Sequence, residues 1–266
     1  MSTEFLNVEA NGMTFYVERR GEGPVVVLVP AGNNDCGPLK TLAELLAKDF
    51  TVVTFDMRGG TRSMPPEDQH VTPKLLADDI AGIVKALGYE KVTLYGCSSG
   101  GQAVLATGKY HPEIVKNIVA YDAALQAETP IPMIGLEYFK TVNGSFGPLC
   151  KGFSPMDVYF LCDWNKWQAM VDKETQERID RNNIYWNQWY LGTVDAETYS
   201  EEEMKGIKID FCVGAWTPAW LPAANIKVAE RLHAPYTWMP AGHFPEIICP
   251  EKLAEFIKQT AFVTSK

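Results

Sequence analysis

Short apolar runs recur along the first half of the chain, and polar, glycine-bearing loops separate them from stretches with apolar residues at helical spacing. Phe5-Leu6-Asn7-Val8 and Met13 to Glu18 are short alternating runs with Asn11-Gly12 between them, which predicts a β-hairpin. Pro24-Val25-Val26-Val27-Leu28-Val29-Pro30 is apolar on both faces, as a buried parallel strand must be. A helix is predicted from about Leu39 to Lys48, then a buried strand over Phe50–Phe55. Thr72 reads as an N-cap and Pro73 as the first helical residue. The helix Lys74–Leu87 carries Leu75, Leu76, Ile80, Ile83, Val84 and Leu87 on one face, and Gly88 ends it. Val92–Tyr95 is the next strand, Gln102–Thr107 opens a helix, and Ile118–Tyr121 is a strand that ends at Asp122. Strand and helix alternating at this rhythm predict an α/β fold, with a mostly parallel central sheet and helices on both faces.

From about Gln126 to Lys205 no buried strand is legible, and aromatic residues accumulate. Helices are predicted over Ile134–Val142, Pro155–Leu161, Trp164–Val171 and Lys173–Leu191, so residues 126–205 read as an inserted helical cap (lid). The rhythm resumes with Ile207–Val213, a helix Pro222–His233, Tyr236–Met239 and a last helix Pro250–Thr260. Residues 1–125 and 206–266 are therefore expected to form one core domain.

Composition narrows the partners. Across 266 residues the net charge is −9 and no basic run appears, which argues against nucleic acid and anionic membrane as partners. The six cysteines are scattered with no Cys-x-x-Cys pair, and the histidine spacing suggests no metal site. Reduced thiols and an N-terminus without a basic-then-apolar leader point to a cytoplasmic protein.

The chemistry is carried by Tyr95-Gly96-Cys97-Ser98-Ser99-Gly100-Gly101, which lies between a strand and a helix. Gly-x-Ser-x-Gly in that context is the pattern of a nucleophile elbow, in which a sharp turn needs small neighbours because strand and helix pass close together. A serine hydroxyl needs a base, and the base needs an acid to orient it. Of the four histidines, only His243 stands in a glycine-flanked loop directly after a sheet strand. His243 is therefore the expected base. The loop after Ile207–Val213, where an acid is common in this arrangement, reads Gly214-Ala215-Trp216-Thr217 and contains no carboxylate. Asp122 ends the strand that follows the elbow and is the expected acid, with Glu246 as its rival. Asp56 is expected to pair with Arg58 or to cap its loop. Two backbone N–H groups must hold the oxyanion: that of Ser99, after the nucleophile, and that of Gly32 or Asn33, after an earlier strand, with Gly32 favoured because glycine lets the backbone approach the substrate closely. Asn33 beside it, with Trp186, Trp189 and Tyr190 in the cap, is expected to contact a bulky apolar or aromatic substrate.

With Val29-Pro30-Ala31-Gly32, Phe55-Asp56-Met57-Arg58-Gly59, Gly96-Cys97-Ser98-Ser99-Gly100 and Gly242-His243 in hand, the chain resembles the α/β-hydrolase superfamily over nearly its whole length. Its elbow, an acid 24 residues after Ser98, and Trp186 in a cap helix resemble the branch that includes fungal zearalenone lactonases. The chain departs from that branch in carrying Asp122 where it has glutamate, and in lacking an acidic residue before Gly32. The resemblance implies a serine hydrolase that opens an ester or lactone without a cofactor. Carbon–carbon bond hydrolysis, or ligand reception on a hydrolase scaffold, are the alternatives. A homodimer is left open.

Overall fold

Eight strands of the described residues form one sheet: β1 (Glu4–Ala10), β2 (Met13–Arg20), β3 (Val25–Val29), β4 (Thr51–Phe55), β5 (Val92–Cys97), β6 (Val115–Tyr121), β7 (Ile209–Gly214) and β8 (Tyr236–Met239). The computed structural model describes residues 2–128, 163–190 and 196–262. The strand order is β1-β2-β4-β3-β5-β6-β7-β8. β1 and β2 form the predicted hairpin, with Asn11 and Gly12 both at positive φ (44° and 76°). β2 pairs antiparallel with β4, and the remaining strands pair in parallel.

Alternation along the central strands sorts their side chains into two cores. Val27, Val29, Val53, Phe55 and Leu94 face one layer, which contains α2 (Pro73–Ala86), α3 (Ser99–Tyr110) and α6 (Trp220–Arg231). Val26, Leu28, Val52, Tyr95 and Cys97 face the other, which contains α1 (Lys40–Leu46) and α8 (Pro250–Phe262). Both faces are covered, so these strands read as continuous apolar runs. β8 is the edge, and its Tyr236 and Trp238 are exposed.

Thr72 caps α2 as expected, its hydroxyl accepting the Leu75 N–H at 3.2 Å. The helix expected from Pro222 begins at Trp220, because proline in a first turn forfeits no intrahelical bond. Of the four helices expected between residues 126 and 205, Trp164–Val171 and Lys173–Leu191 appear as α4 (Trp164–Met170) and α5 (Lys173–Trp189). Those over Ile134–Val142 and Pro155–Leu161 lie outside the described residues. One short helix, α7 (Pro245–Ile248), had no sequence signal. The carboxyl ends of β3, β5 and β6 and the loops after β7 and β8 meet along one edge, where open α/β sheets bind their ligands.

Candidate active site

Ser98 links β5 to α3 with φ 57° and ψ −122°. A non-glycine residue there costs about 1–3 kcal/mol and persists only where its surroundings impose it. They do so here. The Ser98 N–H donates to the Tyr121 carbonyl at 3.1 Å, and the Ser98 carbonyl accepts from the N–H groups of Gln102 (3.0 Å) and Ala124 (2.9 Å). A Cβ on Gly96 would run into the Gly100 carbonyl, and one on Gly100 into the carbonyl of Pro30. Ser98 precedes α3, yet its side chain makes no capping bond, so the hydroxyl is not tied to the helix.

Asp122 follows β6 at φ 37° and is fully buried. Its Oδ1 accepts the Gly214 N–H at 3.1 Å and its Oδ2 accepts the Thr217 hydroxyl at 2.6 Å. The loop after β7 thus offers two donors where it lacks a carboxylate. His243 Nδ1 lies 3.6 Å from Asp122 Oδ2, within ion-pair distance and longer than a hydrogen bond. The Cys97 thiol donates to the His243 carbonyl at 3.0 Å, and the Tyr121 hydroxyl donates to the Gly242 carbonyl at 2.7 Å. Two strand ends, β5 and β6, therefore hold the His243 loop in place.

The other acidic residues have other neighbours. Glu246, on α7, is buried, and its Oε2 accepts the Tyr95 hydroxyl at 3.4 Å. Burial pushes its carboxyl up to about 7. Asp56 accepts two bonds from Arg62 (2.7 and 2.8 Å) and one from the Cys36 N–H (3.0 Å). It caps its loop, but the expected pair with Arg58 does not form. Arg58 reaches Asp79 on α2 instead, at 2.9 and 2.6 Å, because the helix brings a buried carboxylate to it. His111 bonds Asp78 at 2.8 Å, and His233 is exposed near Glu201.

Ser99 is the first residue of α3, where backbone N–H groups lack helical partners. Gly32 follows β3 and lies under the Trp186 indole: a Cβ there would sit 2.7 Å from Nε1. Trp186 is half-buried, and its Nε1 has no hydrogen-bond partner among the described residues. The other expected substrate contacts differ. Asn33 turns its side-chain oxygen to the Asp35 N–H at 3.3 Å. Trp189 packs edge-on against His70 at 5.3 Å. Tyr190 is fully buried and donates to the Arg58 carbonyl at 2.6 Å, so its hydroxyl fixes α5 on the core in place of the expected substrate contact.

A family model described as alpha/beta hydrolase fold matches residues 24–143. The chain is 30% identical over 256 residues to zearalenone hydrolase from Cladophialophora bantiana, covering 94% of this chain and 93% of that one. It is also 30% identical over 268 residues to zearalenone hydrolase from Bionectria ochroleuca, with 94% of each covered. The chain belongs to the α/β-hydrolase family. Among solved structures, a thermophilic esterase from Thermogutta terrifontis superposes on this α/β hydrolase with a TM-score of 0.74 at 19% identity, over 99% of this chain and 100% of that one. The strand order and the elbow agree with that membership. No described helix of the α/β hydrolase is long and apolar enough to cross a membrane. Sequence reasoning passed over Thr217, whose hydroxyl holds Asp122. The only signal available was a hydroxyl residue in the loop where an acid was missing.

Proposed function

We propose that this α/β hydrolase cleaves a carboxylic ester or lactone by acyl transfer through Ser98, His243 and Asp122. The observation that carries the reading is the strained φ of Ser98 at a strand end, with a buried imidazole and carboxylate 3.6 Å apart on the neighbouring loops.

In the first half-reaction the Ser98 oxygen bonds to the carbonyl carbon, and His243 takes the hydroxyl proton. Asp122 holds the imidazole with Nδ1–H toward it and stabilises the imidazolium. The carbonyl oxygen becomes an alkoxide that the N–H groups of Ser99 and Gly32 stabilise. The carbon–oxygen ester bond then breaks, and His243 returns the proton to the leaving alcohol. In the second half, water attacks the acyl-serine and gives a proton to His243, the bond from the acyl carbon to the Ser98 oxygen breaks, His243 returns the proton to that oxygen, and the acid is released. An aspartate reaches less far than a glutamate. The 3.6 Å gap to His243 therefore shortens as the imidazole becomes charged, as catalytic contacts tighten along a reaction.

The substrate is a bulky aromatic ester or lactone, and the family resemblance favours a zearalenone-type macrocyclic lactone. The half-buried Trp186 supplies a flat apolar face above Gly32, and its Nε1–H, without a partner among the described residues, suits an oxygen of the ligand. The core at 1–125 and 206–266, with a cap between them, would enclose such a ligand.

The test is turnover of a panel of 4-nitrophenyl esters and resorcylic macrolactones, followed by acid release in a pH-stat. The expected result is many cycles per enzyme with one acid equivalent per bond opened. Stoichiometric binding without turnover on every member would overturn the proposal in favour of a receptor.

A further inference from the structure

Beside its apolar contacts through Ile179 and Tyr185, α5 carries a mainly polar stripe that runs antiparallel along the loop that carries Gly32. Thr175 stands over Gly37, where a Cβ would strike its methyl group. Arg178 reaches Asp35, with Nε 2.7 Å from Oδ2 and Nη2 3.3 Å from Oδ1. Asn182 donates to the Asn33 carbonyl at 2.9 Å. Trp186 lies over Gly32. Residues 178, 182 and 186 are successive turns of one helix face, so the loop meets a ladder of side chains in register.

The two middle rungs are buried and bonded. Arg178 and Asn182 are 7% and 1% exposed, and Asp35 is wholly buried. The Asp35 Oδ1 also accepts the Gly37 N–H at 2.8 Å and lies 3.4 Å from Arg62 Nη2. The Asn182 side-chain oxygen accepts the Thr61 N–H at 2.7 Å and the Thr61 hydroxyl at 2.6 Å, clamping the Gly32 loop to the loop after β4. Buried polar groups like these are costly to leave unmatched, so helix and loop share one position. The Gly32 loop is also held by Asn34, at φ 54°, whose amide donates to the Arg58 carbonyl at 3.1 Å and whose carbonyl accepts the Met57 N–H at 3.2 Å, and by the Cys36 N–H, which donates to Asp56 at 3.0 Å.

We propose that Arg178 and Asn182 are positioning residues that set the Gly32 N–H against the Ser98 oxyanion, so that seating α5 and completing the oxyanion hole are one event. This rests on the reading of Gly32 as an oxyanion donor. Neither side chain touches the reacting atoms. Their effect is on geometry, where a displacement of about 1 Å costs on the order of 10²-fold in rate.

The experiment compares wild type, Arg178→Gln and Asn182→Ala on 4-nitrophenyl acetate, an ester too small to need the aromatic cap. The expected result is a fall in kcat of roughly 10- to 100-fold with KM within about threefold. Affinity is also measured for a phenyl trifluoromethyl ketone. The Ser98 oxygen bonds to the ketone carbon, the Ser98 hydroxyl proton passes to His243, and the carbonyl oxygen becomes an alkoxide facing the hole. Its affinity is expected to fall in proportion to kcat/KM, while the affinity for acetophenone, which stays a ketone, is unchanged. A purely structural role would lower melting temperature without that proportionality. Asn182→Ala removes no charge and decides the matter if Arg178→Gln does not fold. Variants that fold and keep wild-type kcat, or lose only KM, overturn the inference. Inactive Ser98→Ala beside fully active Arg178 and Asn182 variants overturns it alone. Active Ser98→Ala overturns the serine reading as well.

Discussion

Ser98→Ala lowers kcat/KM for an aryl ester by about 10⁴-fold or more, because the neighbouring hydroxyl, Ser99, is buried in the first turn of α3 and does not stand at the apex of the elbow. The loss appears in kcat. Any residual rate comes from the oxyanion donors, which alone retain a fraction of the acceleration over water. Stability changes little, since the Ser98 side chain makes no capping bond and alanine bears the same strain at φ 57°. Steady-state kinetics beside a melting curve read both effects. A rate within tenfold of wild type would remove Ser98 from the mechanism.

Asp122→Asn is the second large effect: a fall in kcat of about 10³- to 10⁴-fold, against a change of only a few-fold for Glu246→Gln. The amide keeps the size of the carboxylate but no longer stabilises the imidazolium, and it presents the wrong partner to His243 Nδ1–H. Thr217 and Gly214 now donate to both carboxylate oxygens, so one of these bonds is lost as well. Glu246 has a different signature. Its carboxyl titrates at about 7 in the folded chain instead of near 4.5, because burial disfavours the charged form. The unfolded chain therefore releases this proton first. The stability tied to it is full below about 4.5 and falls as pH rises to about 7, by roughly 3 kcal/mol. Urea unfolding across that window should show the decline in wild type and its loss in Glu246→Gln. The reverse ranking in kcat, with Glu246→Gln the more damaging, would move the acid role to Glu246.

The sheet was legible because its central strands are buried on both faces, which forces apolar runs such as Val25–Val29 and the largely β-branched Thr51–Phe55. The elbow was legible because a crowded strand-to-helix turn admits few residue types at Gly96 and Gly100. Family membership followed from motifs spread along the chain. What the sequence hid was long-range polar pairing. Nothing local tells Arg58 to choose Asp79 over Asp56, since that choice depends on where α2 packs. Nor does the sequence of α5 announce that Arg178 and Asn182 are buried on the Gly32 loop. In sequence, the aromatic residues at the end of α5 and just past it read as substrate contacts. Tyr190 belongs to the hydrophobic core, and its hydroxyl is used by the Arg58 carbonyl. α7 is a single turn, too short to leave a periodic signal.

The most direct measurement is covalent labelling by an aryl fluorophosphonate, located by mass spectrometry. The serine oxygen bonds to phosphorus, fluoride leaves, and the hydroxyl proton passes to His243. We expect one adduct per chain on the peptide that contains Ser98, none on Ser98→Ala, and labelling slowed in Asp122→Asn. An adduct on another residue, or full turnover with Ser98 unlabelled, would contradict the proposed triad.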